Sequence, residues 1–97
     1  MILPSDISYD SLPTRMHEGA RSYIERGREP GCFLRALFEN DFYLVVCRAD
    51  SYNMATLLKW ATWLSMEAPP DSWGSKEKVL AWIKKGGLLG HEHWPEE

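Results

Sequence analysis

Residues 66–87 read MEAPPDSWGSKEKVLAWIKKGG and contain the end of one helix, a tight connection and a complete second helix. Pro69 and Pro70 end the first helix, because the residue before a proline avoids helical backbone angles. Ser75 can cap the segment KEKVLAWIKK, and the glycine pair 86–87 can stop it in a left-handed conformation. This pattern is typical of a protein built from short helices and short connections.

Apolar residues recur at helical spacing through the rest of the chain. The predicted helices are residues 11–27, 30–39, 42–49, 52–67 and 76–85. The segment 42–49 is ambiguous, since its β-branched and aromatic residues also suit a strand. No second strand-like run exists to pair with it, so we predict a short buried helix there. The residues expected to face the core in the last two helices are Met54, Leu57, Leu58, Ala61 and Leu64, then Val79, Leu80 and Ile83.

The helix pattern predicts an all-α fold, a compact bundle of four to five short helices in a single small domain of residues 1–97. Connections of a few residues favour antiparallel neighbours in such a bundle. Residues 1–10 are predicted to be an irregular lead-in, held at most by its first apolar residues. Residues 88–97 are predicted to be an irregular tail.

Charge and hydropathy exclude several classes of protein. The formal net charge is −3, which disfavours bulk attraction to DNA or RNA, whose phosphates select basic surfaces. The apolar runs are far shorter than a membrane span needs, and the first residues lack the features of a signal peptide. Cys32 and Cys47 are the two cysteines, and both lie in apolar runs. We therefore expect buried free thiols in a reducing cytosol.

No pattern in the sequence indicates catalysis, a metal or a cofactor. His91 and His93 flank one glutamate and His17 lies far upstream, which leaves the set of three or four ligands of a metal site incomplete. The cysteines, serines and carboxylates match no catalytic spacing, and the glycines of KKGGLLG follow a helix instead of preceding one. We therefore expect a protein that is not an enzyme.

The five tryptophans allow two interpretations. In the structural one, Trp60 and Trp82 fill the core and Trp73 covers one end of the bundle. In the functional one, exposed tryptophans anchor a protein partner, since tryptophan is enriched at interface hot spots. The second interpretation gives a predicted partner-binding set of Pro69, Pro70, Trp73, Lys76, Trp63 and Trp94.

The tandem prolines strengthen the functional interpretation. One proline would end the helix, and a second stiffens the loop, which lowers the ordering cost of binding. X–Pro bonds also populate the cis form at a minor level. A host prolyl isomerase acting at Pro69 or Pro70 is therefore a possible second partner.

Residues 12–88 resemble small accessory proteins from the early operons of lambdoid phages and prophages. The resemblance is carried by GARSYIERG, PG-FL-A, END and RAD, and by WL--EAP---WGS-EKV-AWI. Within that group the chain is most similar to the anti-RecBCD accessory proteins. Residues 1–11 and 89–97 have no part in the match.

The resemblance implies a phage protein of the host cytoplasm that binds and modulates the host RecBCD helicase–nuclease. Such a protein protects phage DNA ends and aids phage recombination. An alternative is an anti-immunity protein against another host complex, such as a CRISPR surveillance complex. A less favoured alternative is a small nucleic-acid-binding regulator that uses four arginines of the first helix, Arg15, Arg21, Arg26 and Arg28.

Overall fold

The structure is a computed structural model that describes residues 2–90, and within them it contains six α-helices and no strand. The helices are α1 (His17–Arg26), α2 (Cys32–Phe38), α3 (Phe42–Arg48), α4 (Ser51–Ala55), α5 (Leu57–Met66) and α6 (Lys76–Lys85). Short 3-10 turns lie at Pro4–Asp6, Thr14–Met16 and Pro70–Ser72. The predicted all-α compact bundle is confirmed.

Both ends of α6 form as the sequence predicts. The Ser75 hydroxyl accepts a hydrogen bond of 3.1 Å from the main-chain N–H of Lys78, which satisfies one of the free donors of the first turn. Gly86 closes the helix at φ 90°, and Gly27 closes α1 in the same way at φ 67°. Glycine adopts this left-handed conformation without the steric cost that a Cβ imposes.

The predicted helix 52–67 is two helices, which raises the helix count above the expected four to five. The break lies at Thr56, whose backbone leaves the helical region at φ −110°, ψ 15°. The Thr56 hydroxyl donates to the carbonyl oxygens of Tyr52 and Asn53 at 3.0 and 3.3 Å. Such bonds weaken a helix but do not by themselves break it, since Thr62 makes the same kind of bond to the Leu58 carbonyl oxygen inside the unbroken α5.

The segment 42–49 is helical, as predicted, but it is not buried. Asp41 caps α3 by accepting a hydrogen bond of 3.1 Å from the N–H of Leu44. Val45 is the one fully buried residue of this helix, while Phe42 and Tyr43 are 78% and 74% exposed. The expectation of burial was wrong because α3 packs one face against α2, and its apolar residues continue around the helix.

Aromatic side chains fill the centre of the bundle. Trp60 and Trp82 are buried, as the structural interpretation of the tryptophans predicts. The rings of Tyr23 and Phe38 lie 4.3 Å apart between their centroids. The remaining buried apolar residues include Ile24, Phe33, Leu34, Leu37, Val45, Leu64 and Val79.

Four residues that were expected to face the core are exposed instead: Met54, Leu58, Ala61 and Leu80. The break at Thr56 separates Met54 from the residues that follow it, so the five positions do not form a single stripe. Within α5, burial is restricted to Trp60, Trp63 and Leu64. The large indole rings occupy the space that smaller residues of the same helix were expected to fill.

The N-terminal lead-in packs against the bundle through later residues than expected. Ile2 and Leu3 are exposed, whereas Ile7 and Tyr9 are buried. The main-chain N–H of Ser8 donates to the Glu67 carboxylate at 2.9 Å. A segment with little regular structure thus covers part of the core.

Cys32 and Cys47 are both exposed free thiols, so the expectation of buried thiols was wrong. Cys32 is the first residue of α2, and Cys47 lies on the outer side of α3. Cys32 precedes the buried Phe33 and Cys47 lies two residues after the buried Val45, but a helix turns each successive position through about 100°. An apolar run therefore does not imply that every member is buried.

Candidate functional site

The predicted binding loop is fixed to the core by hydrogen bonds. Pro69 is buried and Pro70 is exposed. The buried Ser72 hydroxyl donates to the Pro69 carbonyl oxygen at 2.6 Å, and the Tyr23 hydroxyl donates to the Ser72 carbonyl oxygen at 2.7 Å. The first bond closes the turn within the loop and the second joins the loop to α1, so the loop presents a preformed surface.

Trp73 and Lys76 follow this turn. Trp73 is half-buried and packs against the core, which agrees with its expected place at one end of the bundle. The next residue, Gly74, donates its N–H to the Phe38 carbonyl oxygen at 2.8 Å. Lys76 is exposed at the first position of α6.

Two of the six predicted contact residues do not lie on the described surface. Trp63 is 1% exposed, and its indole N–H donates to the Ser8 carbonyl oxygen at 2.7 Å. It is therefore a core residue and not a surface anchor, because a partner could reach it only after the core opened. Trp94 lies outside the described residues.

Pro69 and Pro70 contribute to an apolar cavity of about 520 Å³ that we call the proline groove. The groove is lined by Ile2, Leu3, Pro4, Pro69, Pro70, Asp71, Trp82, Lys85, Leu88 and Leu89. The Lys85 ammonium lies 4.6 Å from the centroid of the Trp82 ring. This contact places a positive charge at the edge of the groove. The groove thus combines apolar walls with one acidic and one basic side chain.

Sequence reasoning missed the residues that complete the groove. Ile2 and Leu3 come from the lead-in, and Leu88 and Leu89 follow α6. The N–H groups of these two leucines donate to the carbonyl oxygens of Ile24 and Glu25 at 3.0 and 2.9 Å, which holds them beside α1. The only signal in the sequence was their apolar character, since nothing local shows that residues 2–3 and 88–89 line the same groove.

The tandem prolines differ in accessibility. No peptide bond between residues 2 and 90 is cis. Pro69 lies in the core between a buried alanine and the exposed Pro70. An isomerase could approach Pro70 from solvent, whereas access to Pro69 requires the loop to leave the core. Action of an isomerase at either proline stays a prediction.

The described residues contain no group of three or more histidine, cysteine, aspartate or glutamate side chains placed to hold a metal. The Nε2 atom of His17 lies 2.8 Å from the Leu12 carbonyl oxygen, a contact that fits a structural role. His91 and His93 lie outside the described residues. Between residues 2 and 90, no helix has both the length and the apolar character that crossing a membrane requires.

The arginines of the first predicted helix are partly neutralised by neighbours. Arg15 pairs with Asp50, and the N–H of Asn53 together with this arginine lowers the pKa of the Asp50 carboxyl. Arg21 lies 3.7 Å from the Glu25 carboxylate and stacks 5.0 Å from the centroid of the Tyr9 ring.

The other two arginines of that set also have acidic neighbours. Arg26 and Arg28 line a polar depression together with Glu18 and Glu25. A surface of mixed charge is poorly suited to a phosphate backbone. This arrangement disfavours the nucleic-acid alternative.

No protein-family model, curated protein or solved structure matches this chain.

Proposed function

We propose that this protein is a non-enzymatic phage protein that binds the host RecBCD helicase–nuclease and modulates it through the proline groove. Binding would protect phage DNA ends and aid phage recombination in the host cytoplasm. The resemblance of residues 12–88 supports the choice of target. The groove at Pro69 and Pro70 is the observation that supports docking as the mode of action.

The groove suits a protein partner because it is apolar, open and already formed. Leu3 is 50% exposed at its wall, and the hydrogen bonds of Ser72 hold the opposite side in place. A preformed surface loses less conformational entropy on binding than a loop that must become ordered. Lys76, outside the groove, and the half-buried Trp73 extend the candidate contact surface along the start of α6.

Charge favours docking on a protein surface over filling a DNA channel. A net charge of −3 is small for a mimic of DNA, which carries one negative charge per about 1.7 Å of duplex axis. Asp71 and Lys85 give the groove one charge of each sign, which can fix the orientation of a partner without strong steering.

The first experiment measures binding of the purified protein to purified RecBCD by biolayer interferometry. Leu3→Glu places a charge in the groove wall, and Leu58→Glu places one on an exposed part of α5 that does not line the groove. We expect Leu3→Glu to weaken binding at least about tenfold and Leu58→Glu to leave it unchanged. Circular dichroism checks that both variants are folded.

A nuclease assay on Chi-containing duplex DNA provides the functional readout. We expect the wild-type protein to alter degradation or the response to Chi, and Leu3→Glu to do so only at higher concentration. No binding by the wild-type protein would refute RecBCD as the target. Equal binding by the two variants would show that the groove is not part of the surface that contacts RecBCD. Recovery of a CRISPR surveillance complex from host lysate, without RecBCD, would favour the alternative target.

A further inference from the structure

A second surface, which shares no residue with the groove, lacks charge. It consists of Phe42, Val45 and Val46 on α3 with Leu57, Leu58, Ala61 and Leu64 on α5, and we call it the α3–α5 face. At the centre of this face is a cavity of about 220 Å³, which Leu37 and Asn40 also line. None of these residues lines the proline groove.

The two helices that form this face carry few charges. Charged residues make up 26% of the chain, whereas α3 and α5 carry one each, Arg48 and Lys59. The Arg48 guanidinium points to the start of α2, where it donates to the Cys32 carbonyl oxygen at 3.4 Å. Lys59 lies two residues before Ala61, and two helical steps of about 100° place it about 160° away around the axis of α5. Both charges therefore point away from the face.

Two side chains protrude beside the cavity. Phe42 is 78% exposed and Leu58 is 81% exposed. Leu58 lies three residues before Ala61, which places it next to the cavity wall on α5. One surface therefore carries a cavity and a side chain of the type that could fill it.

We infer that the α3–α5 face is the contact between two copies of this chain. A surface that carries a protruding side chain beside a cavity suits a two-fold contact, in which each Leu58 enters the cavity of the other copy. Two acidic chains of −3 repel each other, and a contact without charged side chains adds no further repulsion between them. Depletion of charge is also the compositional signal of an interface core.

The exposed area fits a weak dimer. An aromatic side chain buries about 150–250 Å², so Phe42 together with the smaller exposed Leu58 and Val46 offers on the order of 500 Å² per copy. Two copies would bury about 1,000 Å², which is the lower end for a specific interface. We therefore expect a dissociation constant in the micromolar range and a mixture of monomer and dimer.

Sedimentation velocity tests this inference on the full chain between about 5 and 500 µM. We expect the mean mass of the wild-type protein to rise towards that of a dimer as concentration increases. Leu58→Glu and Phe42→Glu should raise the dissociation constant at least about tenfold, because each places two like charges in a dry contact. Leu80→Glu has a comparable change at an exposed leucine elsewhere and should dimerise like the wild type.

Circular dichroism and thermal unfolding show whether the variants fold, which is expected because both side chains are solvent-exposed. A wild-type protein that remains monomeric at the highest concentration would overturn the inference and leave the face to a different partner. So would a dimer that survives in both Leu58→Glu and Phe42→Glu. Neither result depends on the proposed binding of RecBCD, which Leu3→Glu tests separately.

Discussion

Gly27 and Gly87 contact each other through their backbones where the ends of α1 and α6 meet. A Cβ atom on Gly87 would lie 2.6 Å from the Gly27 nitrogen, and one on Gly27 would lie 2.7 Å from the Gly87 nitrogen. Both residues are in the left-handed region, at φ 67° and 72°. The contact also directs Leu88 and Leu89 into the proline groove, so it connects the packing of two helix ends to the candidate site.

We expect Gly87→Ala to lower the free energy of unfolding by about 3 kcal/mol or more, because the new methyl group meets rigid backbone on α1 and requires a strained φ. Gly31→Ala is the control, since a Cβ there meets no atom within 4 Å and φ is −67°. Its effect should stay below about 1 kcal/mol. Urea unfolding measures both values, and similar losses in the two variants would contradict the close contact.

Trp60 and Trp63 provide a matched pair on α5. Both are buried, but the Trp63 indole N–H donates to the Ser8 carbonyl oxygen while that of Trp60 has no partner within the described residues. Replacement of each by phenylalanine removes a similar volume. We expect Trp63→Phe to cost about 1–2 kcal/mol more than Trp60→Phe, because it also leaves a carbonyl unpaired. Equal costs in urea unfolding would show that the bond to the lead-in adds no stability.

Two buried tyrosines should make the protein sensitive to alkali. Burial raises the pKa of Tyr23 and of Tyr9 above the ordinary value near 10, and Glu25 adds to the effect at Tyr9. The unfolded chain loses these protons near pH 10 and the folded protein keeps them, so folding stability falls as pH rises above about 10. Below that pH both tyrosines are protonated in the folded and unfolded states, so they do not make stability depend on pH.

Urea unfolding between pH 8 and 11 checks this prediction. We expect the fall in stability above pH 10 to be roughly halved in Tyr23→Phe, since one of the two groups no longer titrates. We compare how steeply the free energy of unfolding falls with pH, and not its absolute value, because Tyr23→Phe also loses the hydrogen bond to the Ser72 carbonyl oxygen. An unchanged slope would assign the alkaline effect to other groups.

The exposed cysteines give a direct chemical test of the fold. We expect both Cys32 and Cys47 to react with a thiol reagent such as DTNB in the native state, at rates close to those in denaturant. Single variants Cys32→Ser and Cys47→Ser assign the two signals. A thiol that reacts only after unfolding would show that its helix is packed differently from the structure described.

Local features of this protein were predictable from the sequence. The cap at Ser75, the glycine stops and the stripe of Phe33, Leu34, Leu37 and Phe38 all appear as expected. Each depends on residues within one or two helical turns, where spacing alone determines which groups meet. The break at Thr56 was missed because residues 52–67 contain no proline or glycine to mark it.

The candidate site was predictable only in part. The tandem prolines marked one wall of the proline groove, but the opposite walls come from residues about 65 positions earlier and about 20 positions later. The burial of Trp63 and the exposure of α3 were also beyond sequence reasoning. Each depends on which neighbours are present in space, and a helix with apolar residues on several faces does not specify which face is covered.

Composition and spacing therefore determined the all-α fold class of this protein, several of its helix ends and the residues able to fill a core. Tertiary structure decided which of the many apolar residues remain at the surface. A small bundle has too little interior to bury all of them, and the geometry of helix packing makes the selection. The residues left outside, in the proline groove and on the α3–α5 face, are the ones from which function is proposed.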